Sequence, residues 1–187
     1  NDVFEFPTIA LLSAQLNRQS GTAIVPAIVV QPRTKFIPLS YSQERLWFID
    51  QLEGTLQYHL PTVLRIKGNL NQAALVFALQ QIINRHESLR TVIFEEEGQG
   101  YQFIKEKDEW RLSVDDSLVN NGNTIALEDL ILRMINSPFD LSKAHMIRSN
   151  LIKLSAEENI LIMFLHHIAS DGGSGSVLVN EMVELFL

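Results

Sequence analysis

The most restrictive feature of the sequence is the uninterrupted apolar run Ile160-Leu161-Ile162-Met163-Phe164-Leu165. A strand that is apolar at every position has no polar face to present to water, so it must be covered on both faces. Strand-like and helix-like patterns alternate along the rest of the chain. The run therefore predicts the central strand of a mixed sheet with helices packed on it, which is an α/β fold.

The flanking segments predict the neighbours of this strand. Alternating or apolar patterns predict strands at Thr62–Lys67, Met146–Leu154 and Asn159–His166, and a hairpin that joins Thr91–Phe94 to Tyr101–Ile104 through an acidic turn. Apolar residues at helical spacing predict five helices. They are Thr8 to about Asn17, a helix capped by Ser42 and ended by Gly54, a helix opened by Asn69 with Gln72 as a capping box, Ala126–Asn136, and Val177–Leu187.

Three segments follow from this pattern. Residues 1–19 form a short amphipathic helix, and residues 20–34 form an extended linker interrupted by Gly21, Pro26 and Pro32. The alternating strands and helices then occupy residues 35–187. The sequence therefore predicts one main domain preceded by a helical appendage.

Composition excludes several classes of function. The chain has no cysteine among 187 residues, which excludes disulfides, thiolate zinc sites and cysteine nucleophiles and is compatible with a reducing, cytoplasmic location. With 15 Lys and Arg against 22 Asp and Glu, the net charge is -7. This charge argues against nucleic acid or an anionic membrane as a partner, and no run of about 18 apolar residues is present to span one.

The residues that could carry chemistry follow the central strand, in His166-His167-Ile168-Ala169-Ser170-Asp171-Gly172-Gly173. An imidazole titrates near neutral pH and can take a proton from an amine or hydroxyl that attacks an acyl carbon. Asp171 could orient the loop by pairing with a cation. Gly172 could bring a backbone amide close to a developing oxyanion. Acyl transfer is therefore one chemistry that this loop could support.

Other interpretations of these residues stay open at this point. Adjacent histidines on a strand point to opposite faces, so at least one of His166 and His167 is expected to be a packing residue. A metal site at His167 and Asp171 would lack a third and a fourth ligand, so no metal is expected. The cations of Arg85-His86-Glu87-Ser88-Leu89-Arg90 could complement a helix dipole or pair with a buried aspartate.

Three motifs in order resemble the condensation domains of nonribosomal peptide synthetases, within the chloramphenicol acetyltransferase-like superfamily. The first motif, Ser40 to Ile49, resembles SxAQxR(L/M)WxL, and the second, Arg85 to Ile93, resembles RHExLRTxF. The third, His166 to Gly172, fits the family signature HHxxxDG. The resemblance covers about residues 35–187. The departures are Ser42 for Ala, Ile49 for Leu, Ile93 for Phe, and Gly173 where many members carry Trp.

The resemblance implies a fold and a set of residue roles. The fold would be the first lobe of a two-lobed domain, a two-layer α/β sandwich whose active-site tunnel lies between the lobes. His167 would deprotonate or position the acceptor amine, and His166 would be structural. Asp171 would hold the loop through a salt bridge to an arginine, with Arg90 favoured over Arg85. Gly172 would offer its amide to the oxyanion.

The resemblance also implies substrates and partners. The domain would join an acyl or peptidyl thioester on an upstream carrier protein to the amine of an aminoacyl group on a downstream carrier. Both substrates would arrive on 4'-phosphopantetheine arms, with no cofactor bound covalently to this chain. The stretch from Asp2 to Ile9 is similar to the entry to the last helix of a peptidyl carrier protein, which assigns residues 1–19 to the tail of that carrier.

Two alternatives share parts of this pattern. An epimerisation domain carries the same signature but would abstract an α-proton, and a non-catalytic module would recruit carriers without turning them over. A heterocyclisation domain would replace the histidines with an aspartate pattern, and acyltransferases that use coenzyme A would lack the carrier-like start. Because the second lobe is absent from this sequence, we expect the fragment to be inactive alone and to self-associate through an exposed inter-lobe face.

Overall fold

The protein is described here by a computed structural model that covers residues 2–19, 27, 29–30, 32–34, 36–54, 56–119 and 124–186. The chain divides into two compact units, Asn1–Arg33 and Thr34–Leu187. Most of the predicted linker at 20–34 lies outside the described residues. No helix among the described residues is long and apolar enough to span a membrane.

The first unit contains two helices, α1 (Asp2–Glu5) and α2 (Ile9–Gln19). The Leu11 N–H donates to the Thr8 hydroxyl, so Thr8 caps the start of α2 as its position in the sequence predicts. Ile9 is 91% exposed and Leu16 is 53% exposed within the structure. The assignment of this unit to a carrier protein stays a prediction.

The second unit alternates strands and helices, which confirms the mixed α/β class. Its helices are α3 (Tyr41–Glu53), α4 (Gln72–Arg85), α5 (Thr124–Ile135) and α6 (Ser174–Phe186), with 3-10 helices at Leu56–Tyr58 and Glu87–Arg90. Its strands are β1 (Ile37–Pro38), β2 (His59–Lys67), β3 (Thr91–Glu96), β4 (Gln99–Ile104), β5 (Ser113–Asp115), β6 (Ile147–Ser155) and β7 (Glu158–His166).

The strands form two sheets. The larger sheet has the order β2-β7-β6-β5, with β7 antiparallel to both of its neighbours and β5 parallel to β6. The smaller sheet has the order β1-β4-β3 and contains the predicted β3–β4 hairpin. The sequence pattern did not predict β1 and β5, which have only two and three residues.

Strand β7 is the centre of the second unit, as its apolar run predicts. Leu161, Met163 and Leu165 pack into a core with α4 and α6. Ile160, Ile162 and Phe164 pack on the opposite face, into a second core with α5, β3 and the middle of α3. All six side chains are at most 6% exposed. The alternation of β7 therefore divides the interior into two cores.

Two predicted helix caps differ from those in the structure. Helix α3 is capped by Ser40 rather than Ser42: the Ser40 hydroxyl accepts from Gln43 N–H, and the Gln43 side chain accepts from Ser40 N–H at 2.9 Å. Helix α4 is capped by Asn71 rather than Asn69, and its side chain accepts from Ala74 N–H at 3.0 Å. In both cases the side-chain oxygen of the capping residue accepts from the backbone N–H three residues later.

Gly100 on β4 allows the first motif to pack against the smaller sheet. A Cβ atom at this position would lie 2.8 Å from a methyl of Leu39 and 3.1 Å from the ring of Trp47. Both separations are shorter than an ordinary van der Waals contact. The absence of a side chain at Gly100 therefore lets the Trp47 indole approach the backbone of β4.

We expect Gly100→Ala to lower the free energy of unfolding by about 1–3 kcal/mol, because the added methyl overpacks the contact with Leu39 and Trp47. Urea unfolding followed by tryptophan fluorescence measures this change, since both tryptophans, Trp47 and Trp110, lie in the second unit. Gly175→Ala is the matched control: it lies in α6, its Cβ would lie 3.7 Å from Thr62 Oγ1, and helix propensity favours alanine. Equal stability of Gly100→Ala and the wild type would contradict the contact.

Candidate active site

The two histidines that follow the apolar run lie at the end of β7, on opposite faces of the sheet. His166 pairs in register with His59 on β2. The pairing continues one residue further, because the His167 N–H donates to the Tyr58 carbonyl at 2.9 Å. Side chains alternate along this extended pairing, so His166 joins the core on the Phe164 face and His167 projects on the Leu165 face.

His166 is completely buried. Its ring packs edge-on against those of His59 and Phe139, with centroids 5.8 and 5.5 Å away, and its Nδ1 accepts from Ile168 N–H at 3.1 Å. Burial away from water, with repulsion from His59 and His167, lowers the pKa of His166 to about 4. The His166 imidazole is therefore neutral near pH 7 and enclosed within the core.

His167 is exposed, and its backbone environment selects its tautomer. The Nδ1 atom lies 2.6 Å from the Ser170 carbonyl oxygen. A carbonyl only accepts, so Nδ1 must carry the hydrogen and Nε2 must carry the lone pair when the ring is neutral. The Tyr58 ring lies beside the imidazole, with centroids 6.4 Å apart. In the neutral ring the nitrogen of His167 that carries no hydrogen is therefore Nε2.

Ser170 closes the turn that holds both histidines. Its hydroxyl donates to the His166 carbonyl at 2.8 Å, and its own carbonyl accepts from His167. The Ala169 N–H also donates to the His166 carbonyl, at 3.0 Å. The sequence alone does not predict a role for Ser170, because every residue has a backbone carbonyl and its contacts depend on the fold.

Asp171 caps helix α6. Its Oδ1 accepts from the N–H groups of Gly173 and Ser174, at 3.1 and 3.0 Å, and from the Ser174 hydroxyl at 2.8 Å. These hydrogen bonds lower the pKa of the exposed Asp171 carboxyl, and those from Ser174 contribute most. The helix start at Ser174, three residues before the predicted Val177, follows from this cap.

The predicted salt bridge between Asp171 and an arginine is wrong in this structure. Arg90 is buried and donates to the Lys105 carbonyl and to Glu87, 3.2 Å away, which joins the end of β4 to the 3-10 helix Glu87–Arg90. The Asp171 carboxylate faces the start of α6 instead, where free N–H groups attract it. The Arg90 Nε is buried and has no partner among the described residues.

Arg85 is also engaged elsewhere. Its guanidinium lies 3.5 Å from the Glu181 carboxylate, and His86 Nε2 lies 2.9 Å from the same group. These contacts lower the pKa of Glu181, chiefly through the hydrogen bond with His86. The second motif therefore joins the end of α4 to α6, behind the histidine loop.

Gly172 lies at the exposed tip of the loop. Its N–H has no hydrogen-bond partner among the described residues, and a Cβ there would meet nothing within 4 Å. The role of this amide in binding an oxyanion stays a prediction. Among the described residues no group of three or more His, Asp or Glu could hold a metal ion.

An open cleft of about 430 Å³ exposes His167 to solvent. One wall is the loop itself, and the other is the first motif, which contributes Ser40, Ser42, Gln43 and Leu46. Gln43 joins the two walls, because its Nε2 lies 3.5 Å from the Ile168 carbonyl. The first and third motifs, more than a hundred residues apart in sequence, are thus parts of one site.

The second unit is thus an α/β domain that presents an exposed histidine, His167, beside the unpaired N–H of Gly172. The family model described as "Condensation domain" matches residues 33–187. The chain belongs to the condensation-domain family.

Two relatives show how far the similarity extends. One linear gramicidin synthase polypeptide from Brevibacillus parabrevis is 37% identical over 98% of this chain, and the bassianolide nonribosomal cyclodepsipeptide synthetase of Beauveria bassiana is 36% identical over all of it. The chain spans about 2% of the first relative and 6% of the second.

Solved structures share the fold. A chain in the complex of the X-domain and OxyB from teicoplanin biosynthesis matches 89% of this chain with a TM-score of 0.78 and 27% identity, over 35% of its own length. The first condensation domain of the calcium-dependent antibiotic synthetase matches 81% with a TM-score of 0.69 and 22% identity, over 37% of its length. The second likeness shows the fold alone.

We expect Asp171→Ala to lower the thermal unfolding midpoint and Asp171→Asn to lower it less, because an asparagine oxygen still accepts from the N–H groups of Gly173 and Ser174. Circular dichroism at neutral pH measures both midpoints. If Asp171 were instead the partner of a buried arginine, removing the charge alone would be as damaging as truncation. Equal losses in the two variants would contradict the capping role.

We expect the free energy of unfolding to fall by on the order of 3 kcal/mol as pH drops from about 6.5 to about 4. Over this range His166 becomes protonated in the unfolded chain but stays neutral in the folded one. The contribution is complete above the unfolded pKa and disappears as pH approaches the folded one. Urea unfolding at a series of pH values measures the slope, which His166→Asn should make shallower. His59, whose pKa burial also lowers, leaves a residual slope. Identical slopes in both proteins would contradict the assignment.

Proposed function

We propose that this chain is the histidine-bearing lobe of a condensation domain in a nonribosomal peptide synthetase. The reaction would join an acyl or peptidyl thioester on an upstream carrier protein to the amine of an aminoacyl group on a downstream carrier. Membership of the family and the similarity to synthetases over nearly the whole chain support this proposal. The observation that carries it is the 2.6 Å contact between His167 Nδ1 and the Ser170 carbonyl oxygen, which leaves Nε2 to accept a proton.

The chemistry follows from that free nitrogen. The amine nitrogen attacks the thioester carbon and the C–N bond forms, while His167 Nε2 accepts the proton that the nitrogen loses. The tetrahedral oxyanion takes a hydrogen bond from the Gly172 N–H. When the C–S bond breaks, the departing thiolate takes the proton from the imidazolium, and the products are an amide and a free carrier thiol. His167 ends the cycle neutral, with its hydrogen on Nδ1.

The remaining site residues support this base. His166 holds the turn from within the core, and Asp171 fixes the loop by capping α6. Arg90 and Arg85 act at a distance, through the hairpin and through Glu181. None of these four side chains needs to contact the substrate.

The partners follow from the proposed reaction. The 4'-phosphopantetheine arms belong to the two carrier proteins, so they arrive with the substrates, and the open cleft at His167 gives them access to the base. A second lobe would close this cleft. We therefore propose that the 187-residue chain alone turns over little and self-associates through the uncovered face. The first unit would be the tail of the upstream carrier, and the cysteine-free composition fits a cytoplasmic enzyme.

Two other functions use the same fold. An epimerisation domain would use His167 Nε2 to remove an α-proton, with no C–N bond formed. A carrier-recruiting module would bind without chemistry, and the likeness to an X-domain solved in complex with OxyB supports this second candidate. The exposure of His167 in the open cleft, with Nδ1 engaged by the Ser170 carbonyl and Nε2 left free, favours catalysis over recruitment.

The test is His167→Asn in a synthetase that contains this chain. Its side-chain amide can still donate to the Ser170 carbonyl but offers no basic nitrogen, so we expect dipeptide formation to fall by about 10²–10⁴-fold with the fold unchanged. Single-turnover assays with both carriers loaded, read by mass spectrometry of the carrier arms, measure this rate. His145→Ala, in a separate cleft of the same unit, is the matched control and should retain activity.

Three results would overturn the proposal. Full activity of His167→Asn would remove the base from the mechanism. Deuterium uptake at the α-carbon in D₂O, without dipeptide, would indicate epimerisation. Binding of a loaded carrier by the wild type with no product at all would indicate recruitment alone.

A further inference from the structure

The side chain of Gln43 connects three separate parts of the second unit. Its Oε1 accepts from the Ser40 N–H at 2.9 Å, at the start of α3. Its Nε2 donates to Gln102 Oε1 on β4, at 3.4 Å, and to the Ile168 carbonyl in the loop after β7, at 3.5 Å. Nε2 carries two hydrogens, so one hydrogen is available for each acceptor. None of the catalytic roles assigned above includes Gln43.

The neighbours of Gln43 fix the orientation of its amide group. The Pro38 carbonyl can only accept, and Gln102 Nε2 donates to it at 2.8 Å. The Gln102 Oε1 is therefore the atom that faces Gln43, and it requires a donor. At the other end, the Ser40 N–H requires an acceptor. Only one of the two amide orientations satisfies both neighbours, and it directs Nε2 toward the loop.

Ile168, which receives one of these hydrogens, directly follows His167 in the chain. Its N–H donates to His166 Nδ1 at 3.1 Å, on the side of the core. Ile168 is only 6% exposed, so its carbonyl needs a donor from the protein in place of water. Gln43 supplies that donor. The side chain of Gln43 therefore holds the backbone one residue away from the base.

The position of this backbone affects the contact that selects the His167 tautomer. The Ser170 carbonyl, two residues after Ile168, lies 2.6 Å from His167 Nδ1. The Ser170 hydroxyl donates to the His166 carbonyl at 2.8 Å and holds the other side of the same turn. Because one residue separates Ile168 from Ser170, a rotation of the Ile168 carbonyl away from Gln43 also moves the Ser170 carbonyl relative to the ring.

We propose that Gln43 is a positioning residue for His167. By holding the Ile168 carbonyl, Gln43 keeps the Ser170 carbonyl against His167 Nδ1 and leaves Nε2 as the nitrogen that meets the reacting amine. The inference rests on the proposed function for the role of Nε2. The effect of Gln43 on the tautomer of His167 does not depend on turnover. It can therefore be measured on the 187-residue chain itself.

The substitution Gln43→Glu separates this role from the capping of α3. A carboxylate at this position still accepts from the Ser40 N–H, and Ser-x-x-Glu is itself a capping-box pair, so the thermal unfolding midpoint should not fall. The carboxylate has no hydrogen to donate, and it places an oxygen against those of Ile168 and Gln102. Gln43→Met, of similar length, loses the capping contact as well and should lower the midpoint.

The first experiment records the nitrogen chemical shifts of the histidine rings by NMR, at mildly alkaline pH where the rings are neutral. We expect the hydrogen of His167 to lie on Nδ1 in the wild type and to move toward Nε2 in Gln43→Glu and in Gln43→Met. Gln80→Glu is the matched control, because Gln80 Nε2 also donates to an amide oxygen at 3.4 Å, that of Asn84 within α4. It should leave the tautomer unchanged. An unchanged tautomer in Gln43→Glu would overturn the proposal.

The second experiment measures dipeptide formation in the parent synthetase. In Gln43→Glu we expect kcat to fall by about tenfold to a hundredfold, with KM for each loaded carrier within about twofold of the wild type. Gln80→Glu should match the wild type in both. Gln43 also lines the open cleft, so a direct contact with a substrate would raise KM instead. A raised KM with an unchanged kcat would overturn the positioning role.

The two hypotheses fail in different ways. A wild-type synthetase that joins no pair of substrates would overturn the proposed function, and the NMR shifts would still decide whether Gln43 sets the tautomer of His167. Intact dipeptide formation by the wild type, with the same kcat in Gln43→Glu, would overturn the positioning role and leave peptide-bond formation in place.

Discussion

Burial of β7 on both faces is the constraint on which the second unit depends. Because no position in its apolar run can face water, one set of alternate side chains must meet α4 and α6 and the other must meet α5 and the smaller sheet. The same alternation, carried one residue past the strand, encloses His166 and exposes His167. The difference in burial between the two histidines is thus a result of strand geometry rather than of their side-chain chemistry.

Backbone groups then fix the orientation of the residues that follow β7. The Ser170 carbonyl selects the tautomer of His167, and the Tyr58 carbonyl accepts from its backbone N–H, so two backbone groups orient this side chain. Asp171 contributes by capping α6 rather than by pairing with a distant arginine. The loop is therefore fixed from both ends, by β7 before it and by α6 after it.

Local patterns account for what the sequence predicts well. The extent of β7 agrees with the prediction to one residue, since a continuous apolar run has few alternatives, and the β3–β4 hairpin follows from its acidic turn. Strands β1 and β5 are too short to show a period. Ser40 and Gln43 carry a complete capping-box pattern, which the nearby Ser42 obscured. The predicted arginine partner of Asp171 was wrong because that contact depends on the path of the loop. Matching residues to a family motif does not predict this path.

The pairing of β2 with β7 also bears on how the chain is made. About 90 residues separate Lys67 from its partner Glu158, so at about 5–20 residues per second a ribosome would complete β2 several seconds before β7 exists. During that interval β2 is an unpaired strand. Its exposed positions include Pro61, which has no N–H, and the charged Arg65 and Lys67, residues that disfavour pairing with another nascent chain. The side chains on this edge thus protect the polypeptide from aggregation before its central strand has been synthesised.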